Sequence, residues 1–169
     1  MNLGRRDGFH IERGSLVGGS GVGYAFGATL SPRGRGTKGS NMIDHMGFAV
    51  ADLDRAKNFY VNALKPLGLG VVMEVTPQET GGYAGAGFGA EGKPFFWIGA
   101  GSTPKGGVHV AFTARTRDEV DAFYRAAIAA GGKDNGAPGP RPHYHAHYYG
   151  AFVFDPDGNN IEAVCHRPG

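Results

Sequence analysis

Residues 43–60, IDHMGFAVADLDRAKNFY, and residues 107–124, GVHVAFTARTRDEVDAFY, read as two copies of one module. At an offset of 64 residues His45 falls on His109, Phe48 on Phe112, Asp54 on Asp118, and Phe59 and Tyr60 on Phe123 and Tyr124. Downstream, Ala63, Leu64 and Gly68 meet Ala127, Ile128 and Gly132. Self-similarity at a fixed offset marks one supersecondary unit used twice.

Each copy opens with an alternating strand, IDHMGFAV or VHVAFTA, and passes into a helix whose apolar residues recur at three and four positions. Asp52 is the expected N-cap of the first helix, with Leu53, Ala56, Tyr60, Ala63 and Leu64 as its buried stripe. Thr116 and Glu119 form an expected capping box for the second, whose stripe is Val120, Phe123, Tyr124, Ala127 and Ile128. Pro66 with Gly68, and Gly131 with Gly132, stop them. Short strand-like runs follow: GVVMEV, YAGAGFG and FFWIG in the first copy, YGAFVF and IEAVC in the second, the last two joined by a DPDGNN turn. KDNGAPGPRP stands where the second module needs its second strand, although it is rich in breakers. The expectation is an α+β domain of two tandem βαβββ modules, module one about 42–104 and module two about 105–166.

Alternation assigns faces within each opening strand. His45, Gly47 and Ala49 share one face and Met46, Phe48 and Val50 the other. His109, Ala111 and Thr113 repeat the first pattern against Val108, Val110 and Phe112. In both copies the bulky face is suited to the helix, and the histidine face is lined by small residues. Glu162, between Ile161 and Ala163 on the final strand, supplies a carboxylate, a group seldom buried alone. Two neutral imidazoles and one carboxylate would hold a divalent transition ion (Mn, Fe, Ni, Zn or Co) and leave positions open for substrate or water. The expected metal ligands are therefore His45, His109 and Glu162. A lone strand histidine is more often a hydrogen-bonded core residue, and it is the duplication that argues against that plainer reading.

His143, His145 and His147 alternate, so in an extended segment all three would point one way, interleaved with Tyr144, Tyr148 and Tyr149. The segment leads into the strand expected to pair with that of Glu162. It is read as a cavity wall whose histidines, His143 and His145 first, join Glu162 as candidate catalytic groups moving protons. Phe95, Phe96 and Trp97 read mainly as core. Cys165 reads as a small hydrophobe, His10 and His166 as surface residues, and Arg141 as either an anchor for an anionic group or a solvated cation.

The 169 residues carry a net charge of +2, unevenly spread: residues 1–41 balance at +4 and the remainder at −2. A mildly acidic folded region offers no footprint for nucleic acid. Residues 1–41 are rich in glycine, have few apolar side chains and show no sustained period, so they are read as a flexible basic extension. A tail, a targeting peptide interrupted by Asp7 and Glu12, and residues upstream of a start at Met42 are the three readings of it. Its GGSGVG run lacks the Lys-Ser or Lys-Thr ending of a phosphate loop. With Cys165 as the single cysteine, no internal disulfide exists, and a cytoplasmic setting is expected. No long uncharged apolar run indicates a membrane span.

With these residues in place, the chain from Met42 to about His166 resembles the vicinal oxygen chelate superfamily of glyoxalases, bleomycin-resistance proteins and dioxygenases. IDHMGFAVADLDRAKNFY, GGVHVAF and HYHAHYYGAFVFDPDGNNIEAV carry the resemblance. It implies an eight-stranded open cup around the metal, formed by edge-to-edge pairing of the modules, and a homodimer acting on a small molecule with vicinal oxygens. Glyoxalase I has a fourth ligand, a Glu on the last strand of module one, and here that position falls near Trp97 or Ile98. Extradiol dioxygenases place a Tyr where this chain has Phe152. The implied function is a glyoxalase-like lyase or isomerase. An extradiol-type dioxygenase and a metal-free, bleomycin-resistance-like binder are the alternatives.

Overall fold

Local sequence accounts for the first module element by element in the computed structural model, which describes residues 43–168. The readings placed on residues 1–41 lie outside these described residues. Strand β1 is Met46–Val50. Helix α1, Leu53–Leu64, begins where the Asp52 carboxylate accepts the Arg55 amide at 3.0 Å, and it buries Ala56, Phe59, Tyr60, Ala63 and Leu64. A 3-10 turn at Lys65–Leu67 tightens its end, and Gly68 takes the left-handed φ of 75° that closes it. Strand β2 (Gly70–Val75), the short helix α2 (Pro77–Thr80), β3 (Gly85–Ala90) and β4 (Lys93–Ala100) complete the module. The second module repeats the plan with β5 (His109–Thr113), α3 (Arg117–Ala129), β6 (Lys133–Pro140), β7 (Tyr149–Phe154) and β8 (Asn160–Cys165). The 3-10 turn and α2 have no counterpart there.

Each module is a four-stranded sheet, ordered β1-β4-β3-β2 and β5-β8-β7-β6. The first and last strands of each module run parallel, and the other pairs are antiparallel. The breaker-rich segment does form β6, with its register shifting around Gly136. Among the described residues no ladder joins the two sheets, so the eight strands stand as two open sheets. The edge-to-edge pairing implied by the resemblance is not made within one chain.

Helices α1 and α3 lie against each other and against their own sheets. The inner faces therefore share one core, in which Phe96 of β4 meets Phe112 of β5 edge-on, ring centroids 5.2 Å apart. Tyr60 packs on Phe48, Phe59, Phe88 and Phe96 in the same cluster. Such ring pairs each add about 0.5–1.5 kcal/mol to area burial.

Module one also grips the last turn of module two. The Tyr60 hydroxyl donates to Asp155 at 2.6 Å, and the same carboxylate accepts the amides of Asp157 and Asn159 and the Asn159 side chain. Beside it, Asp157 accepts the Ala51 amide and the Arg55 guanidinium, both at 2.8 Å. Gly158, at φ 88°, turns the chain into β8. The strand that carries Glu162 thus takes its starting point from contacts with α1. No helix among the described residues is long and apolar enough to cross a membrane.

Candidate metal centre

In β5, burial alternates without a break: Val110 and Phe112 enter the core, while His109, Ala111 and Thr113 stay on the open face. Parallel register sets His109 against Asn160 and Ala111 against Glu162, and on the other side Phe152 of β7 stands against Glu162. The small Ala111 leaves room for the two functional side chains to meet above it. The His109 Nε2 lies 3.3 Å from Glu162 Oε2, with the imidazole about half exposed and the carboxylate 2% exposed.

A carboxylate so deeply buried must have its lone pairs occupied. The Tyr148 hydroxyl donates to Oε1 at 2.5 Å. Burial, and then this carboxylate, push the Tyr148 phenol well above its ordinary range, so it remains a donor at neutral pH. Asn160 holds the far nitrogen of the imidazole, its backbone carbonyl 3.2 Å and its side-chain amide 2.9 Å from His109 Nδ1. When the carbonyl accepts from Nδ1, Nε2 presents a lone pair; when the amide donates to Nδ1, Nε2 carries the proton toward Glu162. The pair fits a divalent cation in charge and donor type, and its imidazole is oriented from behind as ligating histidines are.

The third expected ligand is elsewhere. His45 immediately precedes β1 and pairs through Nδ1 with Asp44 Oδ1 at 3.0 Å. Among the described residues no group of three or more His, Cys, Asp or Glu side chains gathers closely enough to hold an ion. The reason is topological: the open faces belong to two different sheets joined through their backs.

Residues 141–148 fold as turns rather than as the extended run expected, so the alternation of a strand does not apply to the three histidines, and all are exposed. His143 lies over Tyr144, ring centroids 4.2 Å apart. His145 accepts the His147 amide at Nδ1, and its Nε2 is 2.7 Å from His166 Nδ1. Both of these rings pack on Tyr148, at 5.4 and 5.2 Å, which brings them to the residue that holds Glu162.

Register settles the module-one counterpart of Glu162. Gly47 pairs with Trp97 as Ala111 pairs with Glu162, so the equivalent residue is Trp97 and not Ile98. Its indole covers Gly87, where an added Cβ would lie 2.7 Å from the ring. Phe96 is core as expected, whereas Phe95 and Trp97 are only partly buried.

Sequence reading overlooked Tyr148 as a partner of Glu162, Asn160 as a partner of His109, and His166 as a partner of His145. Two of these carried a signal, since Asn160 and His166 alternate with Glu162 along the final strand and its exit. Tyr148 carried none, because its contact depends on how the preceding turns fold.

A duplicated βαβββ architecture with an imidazole–carboxylate pair on an open sheet face defines the class of protein. The family model of the Glyoxalase/Bleomycin resistance protein/Dioxygenase superfamily matches residues 42–163, and the chain belongs to this family. A glyoxalase/bleomycin resistance protein from Albidiferax ferrireducens T118 is 31% identical, with 76% of this chain and all of that one covered at a TM-score of 0.57. A glyoxalase I mutant from Zea mays (23% identity, TM-score 0.57) is similar over 75% of this chain and 45% of its own length. The fosfomycin resistance protein FosX from Listeria monocytogenes, solved with Mn(II) and dihydroxypropylphosphonic acid, is 19% identical over 71% of this chain and 86% of its own, at a TM-score of 0.52. These last two likenesses are likenesses of fold. No curated protein shows significant sequence similarity to the chain.

Proposed function

We propose that the protein is a cytosolic, homodimeric metalloenzyme of this superfamily, acting on a small substrate with vicinal oxygens in a glyoxalase-like lyase or isomerase reaction. The observation that carries the reading is the buried Glu162 carboxylate 3.3 Å from His109 Nε2, an arrangement that offers a cation two ligands at once. His109 and Glu162 of one chain would hold the ion, with His45 supplied by a second copy, since His45 does not reach the pair from its own sheet. A bound divalent ion supplies Lewis-acid stabilisation of negative charge developing on substrate oxygens.

The chain's own residues then have distinct roles. Tyr148 aims the Glu162 carboxylate by donating to Oε1, which leaves Oε2 to face His109. Asn160 fixes the imidazole plane. His145, whose Nδ1 accepts the His147 amide, carries its proton on Nε2 and passes it to or from His166, a route between the Tyr148 corner and solvent. His145 is therefore favoured over His143 as the acid–base group. Trp97, where glyoxalase I would place a fourth ligand, offers an indole and no charge, so that position would add no side-chain ligand to the ion.

One observation favours a second reading, that of a metal-free binder: at 3.3 Å His109 and Glu162 can satisfy each other directly. Metal analysis of gently purified protein separates the two. The metalloenzyme predicts near-stoichiometric transition metal that is lost in His109→Ala, Glu162→Gln and His45→Ala chains of unchanged fold, with part of it regained when His45→Ala and Glu162→Gln chains are mixed. Wild-type protein that takes up no ion after incubation with each candidate metal would leave only the binder.

A further inference from the structure

We propose that Arg141, laid along the glycine positions of β6, forms a subsite for a carboxylate carried by the substrate. The assignment deepens the reading above and rests on its open-face site.

Four observations lead to it. First, the guanidinium is fixed: its Nη2 donates to the Ala137 carbonyl at 2.7 Å and its Nη1 to that of Pro140 at 3.3 Å, while the Arg141 amide ties back to the Tyr148 carbonyl at 2.8 Å. Second, β6 is shaped to admit it. A Cβ at Gly139 would stand 3.0 Å from Nη1, and one at Gly136 would stand 3.5 Å from Nη2 and 3.1 Å from the Phe152 ring. Third, the cation lies over Phe152, 5.7 Å from its centroid, and that same ring stacks with His109 at 6.5 Å and 27°. Arg141, Phe152 and His109 thus form one continuous wall, and the cation's field reaches the Tyr148 and Tyr149 phenols, opposing their upward shift. Fourth, among the described residues no carboxylate forms an ion pair with Arg141.

A guanidinium carries five N–H donors, and backbone carbonyls engage two of its groups here. A planar cation held in place, stacked on an aromatic face and left without a counter-charge is the usual receptor for a bidentate oxyanion. An arginine serving only to satisfy two carbonyls would need neither the glycine spacing nor the stacking. A small 2-hydroxy or 2-oxo acid has the required chemistry, its carboxylate taken by Arg141 and its adjacent oxygen left toward the His109 and Glu162 side.

The test is an NMR titration of the 15N-labelled full chain with glycolate, with its neutral isostere glycolamide and with inorganic phosphate, following the Arg141 Nε–H and the Gly136 and Gly139 amides. Glycolate should saturate these shifts at a concentration at least about tenfold below that of glycolamide, the scale of one lost charge-assisted contact. That preference should vanish in Arg141→Gln and survive in part in Arg141→Lys, both checked for an unchanged spectrum outside β6 and β7. Equal responses to glycolate and glycolamide, or a preference that persists in Arg141→Gln, overturn the subsite. Phosphate binding more tightly than glycolate overturns the assignment to a carboxylate. If Arg141-dependent glycolate binding is present while the wild-type chain takes up no metal, the subsite stands and the metalloenzyme reading falls.

Discussion

Replacing Tyr60 by Phe should destabilise the whole domain while leaving its open faces untouched. The substitution removes one hydroxyl at a fully buried site, where it donates to the buried Asp155 carboxylate at 2.6 Å. A hydrogen bond to a charged group contributes about 1.5–3 kcal/mol. Asp155 keeps the donors of Asp157 and Asn159, so its charge is not orphaned, and the lower part of that range applies, about 2 kcal/mol. For a domain of this size that corresponds to a melting temperature lower by roughly 6–8 °C. The measurement is thermal unfolding by circular dichroism at pH 7, repeated at rising pH.

The alkaline arm has a definite sign. Burial, then the Asp155 charge, push the Tyr60 phenol well above its ordinary value of 10.0. Its contribution is therefore fully present below about pH 10 and is lost as pH rises through the folded-state value. Tyr148 and Tyr149 are also raised, so both proteins lose stability at high pH, and the variant should lose less. A variant melting within about 1 °C of wild type at pH 7, or falling as steeply above pH 10, would refute the idea that this phenol couples the modules.

Other consequences are simpler to check. Gly89→Ala would set a Cβ 1.9 Å from the Lys93 carbonyl oxygen, a backbone atom that cannot step aside, so urea unfolding should show a loss of about 3 kcal/mol. The Cys165 thiol is 0% exposed and should react with a disulfide reagent only as the protein unfolds; prompt stoichiometric labelling of the native chain would contradict its place in the core.

The two long helices, the repeated strand plan and the face assignment of β5 were legible because each rests on apolar periodicity, and apolar burial is what selects a face, although Ile128, read into the stripe of the second helix, is exposed. The histidine run failed that logic. Its alternation is polar throughout, so no burial energy holds it extended, and the turns that form instead leave the rings exposed. The choice between Trp97 and Ile98 was undetermined because module two is one residue longer between the paired positions, Gly47 to Trp97 against Ala111 to Glu162. Only register absorbs such a difference. Pairing His109 with Glu162 follows from alternation and strand order together, whereas the position of His45 depends on how two sheets are oriented, which periodicity within a strand does not encode.

Duplication starts with equal halves, and here the halves differ at one matched register position, where one sheet carries an indole and the other a carboxylate. Each has reshaped its surroundings to match. Gly87 is bare beneath the indole, and a Cβ at Gly150 would crowd the Glu162 oxygen at 3.0 Å. Exchanging the two side chains is therefore not a single mutational step, because the small residues that accommodate them would have to move as well. The asymmetry between the halves is locked in by backbone that bears no side chain at all.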